Sequence, residues 1–259
     1  DAAEATNAPA LGPAPAGDTL AAPVEVAPVT VPAPAPSLGQ LIAALEDDGA
    51  ASATRRLLAL WDVASTADDS DLCAAAERAG LRCLEKFGSW RALLDYDLPA
   101  VLTLSHASGG NAEALLLALS AERATLAIGD HEQAFSLDEI DAYWTGGYVL
   151  LWRPPLDGVT VIRPGRTGHA ARWLWQTMAR IDGEPIEGHD VNTVGDALVQ
   201  RVKTFQRSKG LTVDGIAGPE TLLHLGATQP GPARPSLGRP APEPPPAMTR
   251  ESRVTRSES

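Results

Sequence analysis

The side chains in this sequence best suited to nucleophilic or redox chemistry are two cysteines, Cys73 and Cys83, placed ten residues apart. A single pair at this spacing fits neither a four-cysteine zinc site nor a C-x-x-C redox motif. Two interpretations remain open. The pair forms a structural disulfide, which implies an oxidising compartment such as a bacterial periplasm, or the two thiols are buried and pack as small apolar groups.

Histidine, the usual general base and metal ligand, occurs five times without a functional spacing. The sequence contains neither H-E-x-x-H nor H-x-H, and it has no Gly-rich loop that could cradle a phosphate. The five positions are His106, His131, His169, His189 and His224. We therefore predict no metal site and no cofactor.

The charge of the chain is strongly acidic and unevenly distributed. The net charge is −12, and residues 38–162 hold 19 Asp and Glu against 8 Lys and Arg. An acidic surface repels phosphate backbones and anionic headgroups, so the sequence argues against binding of nucleic acid or of a membrane surface. It also lacks a run of about 18 apolar residues that could span a bilayer. Because it begins at Asp1, we expect a processed form or a part of a longer protein.

Both ends of the chain are rich in proline and differ from the middle. Residues 1–37 consist almost wholly of Ala, Pro, Val, Gly and Thr and contain no base. Such a segment cannot bury enough apolar surface to offset its ordering entropy, so we predict a disordered linker that could extend to about 110 Å. Residues 227–259 are likewise predicted to be a disordered tail.

Residues 38–162 show the mixed periodicities of an α+β domain. Apolar residues at helical spacing predict helices around 38–45, 57–61 and 72–79, the last of which ends at Gly80. Short β-like runs then alternate with turn residues, which favours an antiparallel sheet. These runs are Ala100–Leu104, Ala114–Leu119, Ala124–Ile128, Tyr148–Trp152 and Val159–Ile162.

Residues 163–226 have the pattern of a small three-helix module. Ala171, Leu174, Trp175 and Met178 follow the i, i+3, i+4, i+7 spacing of one helical face. A second helix with a similar stripe ends near Gly210. Pro219 then suits the first turn of a third helix, where its missing N–H costs nothing.

The motifs of this module resemble the peptidoglycan-binding domain family of cell-wall hydrolases and envelope proteins. Three segments have the order and spacing of that family: Val202-Lys-Thr-Phe-Gln206, Gly210-Leu211 and Asp214-Gly-Ile-Ala-Gly218-Pro-Glu-Thr221. The resemblance covers about 60 residues and implies a three-helix fold that binds peptidoglycan without catalysis. Trp175 stands where many members carry Gln.

Four residues of this motif are our candidate peptidoglycan ligands: Gln206, Asp214, Gly215 and Thr221. Each also has a structural interpretation. Asp214 can hydrogen-bond the backbone N–H groups of its own turn, and Gly215 can supply a backbone conformation that other residues avoid. Recognition would require a groove of polar side chains and exposed backbone, since peptidoglycan offers amides, hydroxyls and carboxylates.

Residues 38–162 resemble the papain-like peptidases that cleave double-glycine leader peptides. The resemblance is carried by Leu72–Arg82, Leu98–Leu102, Phe135–Ile140 and Trp144–Gly146. Those peptidases need Cys, His and Asp together, because a thiolate requires an imidazolium partner and that ring requires an orienting group. The three positions fall near 50–52, 111–113 and 127–129, where none of these residue types clearly occurs. The resemblance therefore implies an inactive domain, with Cys73 and Cys83 paired.

The two domains in this order resemble the periplasmic half of the GspA/ExeA-type accessory ATPases of type II secretion. That resemblance implies a non-catalytic periplasmic protein, tethered to the inner membrane by an upstream segment, which binds peptidoglycan and assists secretin assembly through the wall. It also implies a GspB-type inner-membrane partner and an oligomeric full-length protein, with the ATPase domain outside this sequence. The alternative is that the chain is an enzyme, namely a cysteine peptidase or cell-wall amidase that uses Cys73 with His106 or His131.

Overall fold

The computed structural model describes residues 35–45, 49–64, 71–105, 109–229 and 234–238. Most of the predicted linker and tail lies outside these residues. The helices are α1 (Leu38–Ala44), α2 (Gly49–Leu60), α3 (Leu72–Arg78), α4 (Trp90–Tyr96), α5 (Leu137–Asp141), α6 (His169–Asp182), α7 (Asp196–Ser208) and α8 (Pro219–Ala227). The strands are β1 (Arg82–Phe87), β2 (Ala100–Ser105), β3 (Asn111–Leu119), β4 (Arg123–Ile128), β5 (His131–Ser136) and β6 (Trp144–Trp152).

The start of α1 is set by side-chain hydrogen bonds to the backbone. Ser37 accepts a hydrogen bond from the Gln40 N–H, and the Gln40 side chain accepts one from the Ser37 N–H, which forms a capping box. The helix then buries Leu38, Leu41 and Ile42, the predicted apolar stripe. In the same way Asp71 caps α3 by accepting hydrogen bonds from the N–H groups of Cys73 and Ala74.

A six-stranded sheet forms the centre of the first domain, in the order β1-β6-β2-β3-β4-β5 with every neighbouring pair antiparallel. Helix α2 packs against β2, β3 and β4. Strand β3 has buried residues along most of its length because it pairs on both sides and carries α2 on one face. The α+β architecture with an antiparallel sheet agrees with the sequence prediction.

Three features of the sheet depart from the predicted strands, the first being that β1 was not among the β-like runs of the sequence. Val159–Ile162 is not a strand, since only Ile162 pairs, in an isolated antiparallel bridge to Ala217. Strand β5 was not predicted because its first residues are polar and it lies at the sheet edge, where alternating apolar side chains are not required.

The second domain consists of α6, α7 and α8. The predicted stripe of α6, made of Ala171, Leu174, Trp175 and Met178, is buried as expected. Arg201 on α7 is also buried, and it donates a 2.8 Å hydrogen bond to Asp182 at the end of α6. This ion pair fixes the end of α6 beside α7.

A continuous apolar core joins the two domains into one compact unit that begins at Pro36. Ile162 and Ala217 exchange both backbone hydrogen bonds, at 2.9 and 3.0 Å. The imidazole of His224 stacks on the ring of Tyr96. Buried residues of the predicted three-helix module over 163–226 therefore belong to the same apolar cluster as those of the sheet domain.

Part of the predicted C-terminal tail is packed against the sheet domain. The Gly238 N–H donates to Leu117 O, and Gly238 O accepts from the Leu119 N–H, so this residue pairs with the end of β3. The Leu237 N–H donates to the Asp97 carboxylate at 3.2 Å. The prediction of a disordered tail is therefore wrong for residues 234–238, because the end of β3 offers backbone groups that β2 does not use.

In the part of the chain that the structure describes, no helix combines the length and apolar character needed to cross a bilayer.

Candidate functional site

The turn between α7 and α8 is organised by one buried amide. Gln206 is 1% exposed, and its Nε2 donates to Asp214 Oδ1 and to Ile216 O, both at 2.9 Å. Its Oε1 accepts the Gly215 N–H at 2.9 Å. A third contact, at 3.3 Å, joins Nε2 to the Thr221 hydroxyl. Since buried polar groups are costly when unpaired, this network fixes the turn in one conformation.

Asp214 supports the same turn from outside. Its Oδ1 accepts the Ile216 N–H at 2.8 Å, which is the local hydrogen bond expected from the sequence. Desolvation is the largest influence and opposes ionisation of this carboxyl, but hydrogen bonds from the Ile216 N–H, the Gln206 amide and its own N–H, with the charge of Arg163, together lower the pKa of Asp214. The carboxylate is therefore charged at neutral pH, and its side chain is exposed.

Gly215 is required by its backbone conformation and by its neighbours. Its φ is +77°, in the left-handed region, and a Cβ atom there would lie 2.7 Å from Val199 Cγ1. Any other residue would require the Val199 side chain on α7 to shift. The backbone of the turn consequently runs close against that helix.

The structure thus brings the four candidate ligands together but gives them different surroundings. Gln206, Gly215 and Thr221 are buried, and the polar atoms described above bond to one another. Asp214 is the member of the four whose side chain reaches solvent. Contact of these residues with peptidoglycan stays a prediction, with Asp214 the best placed for it and the others as its scaffold.

A cleft of about 290 Å³ opens beside this turn. One wall is formed by Asp214, Gly218 and the start of α8. The opposite wall belongs to the sheet domain, through Leu84 and Lys86 of the edge strand β1. Lys86 forms an ion pair with Glu220 across the junction. The contribution of β1 could not be inferred from the sequence, because no local pattern places an edge strand beside a distant helix.

The two cysteines form a disulfide with a Cα–Cα distance of 5.4 Å. It links the first turn of α3 to β1. Since these are the two cysteines of the chain, neither presents a thiol to a substrate. The disulfide alternative is the one found in the structure, and it removes the nucleophile that the peptidase alternative requires.

The positions that carry catalytic groups in papain-like peptidases hold other residues here. Ser52 on α2 lies beside Gly129, and its hydroxyl is 3.5 Å from the Gly129 carbonyl oxygen. The fold therefore brings the first and third positions together but offers a hydroxyl and a backbone carbonyl. The histidine is expected near 111–113, where β3 begins with Asn111, Ala112 and Glu113. None of these residues is a histidine, so the imidazole partner that a papain-type thiolate requires does not occur in this range.

The described histidines do not assemble into a site. His189 stacks on Trp175, with ring centroids 4.9 Å apart. His131 opens β5 and His169 opens α6, while His106 lies outside the described residues. Within the described ranges, no three His, Cys, Asp or Glu side chains are grouped so that they could hold a metal ion.

Two family models match the chain. Residues 40–154 match the model described as "GspA, peptidase C39-like domain", and residues 168–225 match the one described as "Putative peptidoglycan binding domain". The first range contains the sheet and the second contains α6, α7 and α8.

The curated relatives that match this chain are longer proteins. General secretion pathway protein A of Aeromonas hydrophila is 34% identical over 182 residues, which are 70% of this chain and 32% of that protein. Putative general secretion pathway protein A of Escherichia coli K12 is 30% identical over 163 residues, which are 61% of this chain and 32% of that protein. The chain spans about a third of the length of the curated relatives it matches.

Among solved structures, the chain is similar to a periplasmic domain of the EpsAB fusion protein of the Vibrio vulnificus type II secretion system. The sequences are 29% identical and the TM-score is 0.47. The match covers 71% of this chain and 83% of that one.

Proposed function

We propose that this chain, whose residues 40–154 match the model of the GspA peptidase C39-like domain and whose residues 168–225 match that of a peptidoglycan binding domain, is a non-catalytic, wall-binding part of a type II secretion protein. The observation that carries the proposal is the buried Gln206 network in the second domain. It holds a rigid turn with an ionised Asp214 at the edge of a cleft. Such a turn presents a carboxylate and ordered backbone to a ligand rich in amides and hydroxyls.

The first domain supports a binding role for the chain. A degenerate C39-like fold keeps the sheet and the packing of α2, but its cysteines are in a disulfide, and residues 111–113, where the histidine is expected, are Asn, Ala and Glu. We expect the chain to hydrolyse neither double-glycine peptides nor peptidoglycan. An active cysteine peptidase or wall amidase would need a free Cys73 thiolate.

We extend the proposal to the location and partners of the full-length protein. The relatives are general secretion pathway A proteins, and a disulfide suits the periplasm. In this proposal an upstream segment tethers the chain to the inner membrane, and the full-length protein is oligomeric. With a GspB-type partner it helps the secretin assemble through the wall.

The test is co-sedimentation of the purified chain with purified sacculi. We expect the chain to pellet with the wall in a saturable manner. The variant Asp214→Asn keeps an acceptor for the Ile216 N–H but loses the charge, so it should bind more weakly if this carboxylate contacts the ligand. Asp196→Asn, at an exposed position on α7, is the matched control and should bind as the parent does. A parent chain that stays in the supernatant would overturn the proposal.

A further inference from the structure

Strand β1 lies at one end of the sheet, and its outer side is not paired. It forms its ladder with β6 alone. The Gly88 N–H donates to Gly146 O at 3.0 Å, which continues the β1–β6 register by one residue. Because hydrogen-bonded pairs alternate along an antiparallel ladder, Lys86 also bonds to β6, whereas Glu85 and Phe87 direct their N–H and C=O groups away from it.

The outward groups of β1 have no partner. Among the described residues, no backbone hydrogen bond outside the ladder reaches Glu85 or Phe87. Glu85 is exposed, and Phe87 is 78% exposed, more than any other large apolar side chain of the described residues. A row of free N–H and C=O groups is a template for another strand, and proteins usually cover or blunt it. An open edge that also carries an exposed aromatic ring indicates a surface for a second polypeptide.

This edge borders a groove long enough for an extended chain. The cleft of about 290 Å³ beside Asp214 is lined by Glu85 and Lys86 of β1. A second cleft, of about 380 Å³, is lined by the same two residues and continues past Phe87 to Asn111 at the start of β3. The two clefts therefore form one groove that follows the second half of β1.

The charge of the groove favours a basic occupant. Beside the turn it is lined by Glu85, Asp214 and Glu220 against one cation, Lys86. Lys86 is paired with Glu220, and the charge of Arg163 acts on Asp214. Glu85 is left without a cationic partner among the described residues. A strand added beside β1 places one side chain directly opposite Glu85, where Lys or Arg is stabilising.

Two other occupants do not fit this edge. If β1 paired with β1 of a second copy, the registers with most overlap would place Glu85 opposite Glu85, Lys86 opposite Lys86, or Lys86 opposite Arg82. Like charges directly opposite one another destabilise a strand pair. The stem peptide of peptidoglycan alternates L and D residues and contains a γ-linkage, so it lacks the regular row of N–H and C=O groups that a ladder requires.

We propose that β1 binds an extended segment of a partner protein, which adds to the sheet as a further strand. The backbone of the segment pairs with Glu85 and Phe87, and a basic side chain lies opposite the Glu85 carboxylate. An apolar side chain of the segment packs against the exposed ring of Phe87. This inference goes beyond the proposed function, because it assigns the β1 edge to a protein partner and not to the wall.

The experiment is amide hydrogen exchange of the full chain, measured by NMR with and without a synthetic peptide. The peptide has six residues, alternating Thr and Val with one central Arg, and blocked ends. In the free chain the amides of Glu85 and Phe87 should exchange rapidly, while that of Lys86 is protected by β6. Saturation with the peptide should slow exchange at Glu85 and Phe87 by about tenfold and leave Lys86 unchanged. A contact through side chains alone would not produce this alternation.

Charge reversal tests the role of Glu85. Glu85→Lys should weaken binding of the Arg peptide by about fivefold and favour the same peptide with Glu in place of Arg. This exchange of preference also shows that the variant is folded. The matched control is Glu122→Lys, at an exposed position in the turn before β4, and it should bind both peptides as the parent does.

The outcomes separate the occupants. An Arg peptide that leaves Glu85 and Phe87 unprotected refutes strand addition, and equal binding of both peptides by the parent refutes the role of Glu85. If these amides are already protected in a free chain that sediments as a dimer, a second copy occupies the edge. Glu85→Lys should pellet with sacculi as the parent does, and loss of that binding would assign the edge to the wall instead. A parent that does not pellet contradicts the proposed function but not the strand addition.

Discussion

The imidazole of His224 on α8 stacks on the phenol ring of Tyr96 on α4, with ring centroids 5.2 Å apart and planes inclined by 29°. This contact joins the helical domain to the sheet domain. His224 is 7% exposed, and its burial is the main reason that its pKa lies below the ordinary value of 6.5. Nearby Lys209 and Arg234 lower the pKa further, while Asp95 opposes them. The domain junction therefore contains a histidine held in its neutral form.

The first prediction concerns pH. Because the folded state depresses the pKa of His224, the unfolded chain binds more protons at acidic pH, and stability must fall as pH drops below about 6.5. His224→Phe keeps the stack on Tyr96 without a titrating group, so part of this loss should disappear. Urea unfolding at pH 5, 6 and 8 measures the effect. His131→Phe, at an exposed position, is the control and should lose stability on acidification as the parent does.

The second prediction concerns the ion pair between Arg201 and Asp182. Arg201 has 9% of its side chain exposed, so Asp182→Ala leaves a buried guanidinium without its carboxylate. We expect the free energy of unfolding to fall by about 2–3 kcal/mol, less than for a fully buried pair because Asp182 is itself 27% exposed. The control is Asp95→Ala, whose partner Arg91 is exposed, and it should cost no more than about 0.5 kcal/mol. Equal losses in the two variants would contradict this assignment.

The same pair also predicts an acid limb of stability. The hydrogen bond from Arg201 is the largest cause that lowers the pKa of Asp182 from its ordinary value of 3.8. The pair therefore contributes fully above that value, and its contribution is lost as pH falls through the folded pKa. The stability difference between the parent and Asp182→Ala should shrink as the pH is lowered from 5 to 2, which acid titration of the unfolding midpoint can measure.

The third prediction concerns Gln206. Gln206→Ala leaves the Gly215 N–H, Ile216 O and Thr221 hydroxyl without their buried partner and creates a cavity. We expect a loss of about 2–3 kcal/mol in the free energy of unfolding. The matched control is Gln176→Ala on α6, which is exposed and should lie within about 0.5 kcal/mol of the parent. A stable Gln206→Ala chain that no longer binds sacculi would instead show that Gln206 contacts the ligand.

The fourth prediction concerns the disulfide. Replacing both Cys73 and Cys83 by Ser should lower the free energy of unfolding by about 2–3 kcal/mol, because the bond closes a short loop in the unfolded chain. Binding to sacculi should remain unchanged at temperatures where the variant is folded. Thiol titration of the oxidised, denatured parent provides the check. Two reactive thiols would show that the bond is absent and would restore the nucleophile that the peptidase alternative needs.

Local periodicity predicted most helices and strands of the fold, but it did not predict a strand with largely polar side chains. The stripe of α6 and the strands around 100–104 and 148–152 follow from side-chain spacing, since burial on one face repeats with the period of the backbone. Strand β5 was not predicted, because an edge strand tolerates polar residues and so lacks the apolar alternation that identifies a strand. Val159–Ile162 was taken for a strand, although apolar content alone cannot supply the pairing partner that makes one.

The sequence was enough to select the residues of the candidate site, but not to tell which of them contact a ligand and which support the turn. The motif spacing selects Gln206, Asp214, Gly215 and Thr221, and the fold does bring them together. Whether such a side chain meets a ligand or supports a turn depends on its burial. Burial depends on the packing of the whole domain, which leaves Gln206 buried and Asp214 exposed.

The sequence by itself determined the α+β class, because this follows from residue types and short-range spacing. Its resemblance to two families indicated the domain types and the lack of a catalytic cysteine, histidine and aspartate at the positions expected for a peptidase. The tertiary structure alone decided that the domains share one core, that β1 faces the turn between α7 and α8, and that Trp61, Trp152 and Trp173 line one cavity. The physical reason is that such contacts join residues far apart in the chain. Their free energy comes from surfaces that become adjacent only when the whole chain folds, and no local pattern records which surfaces those will be.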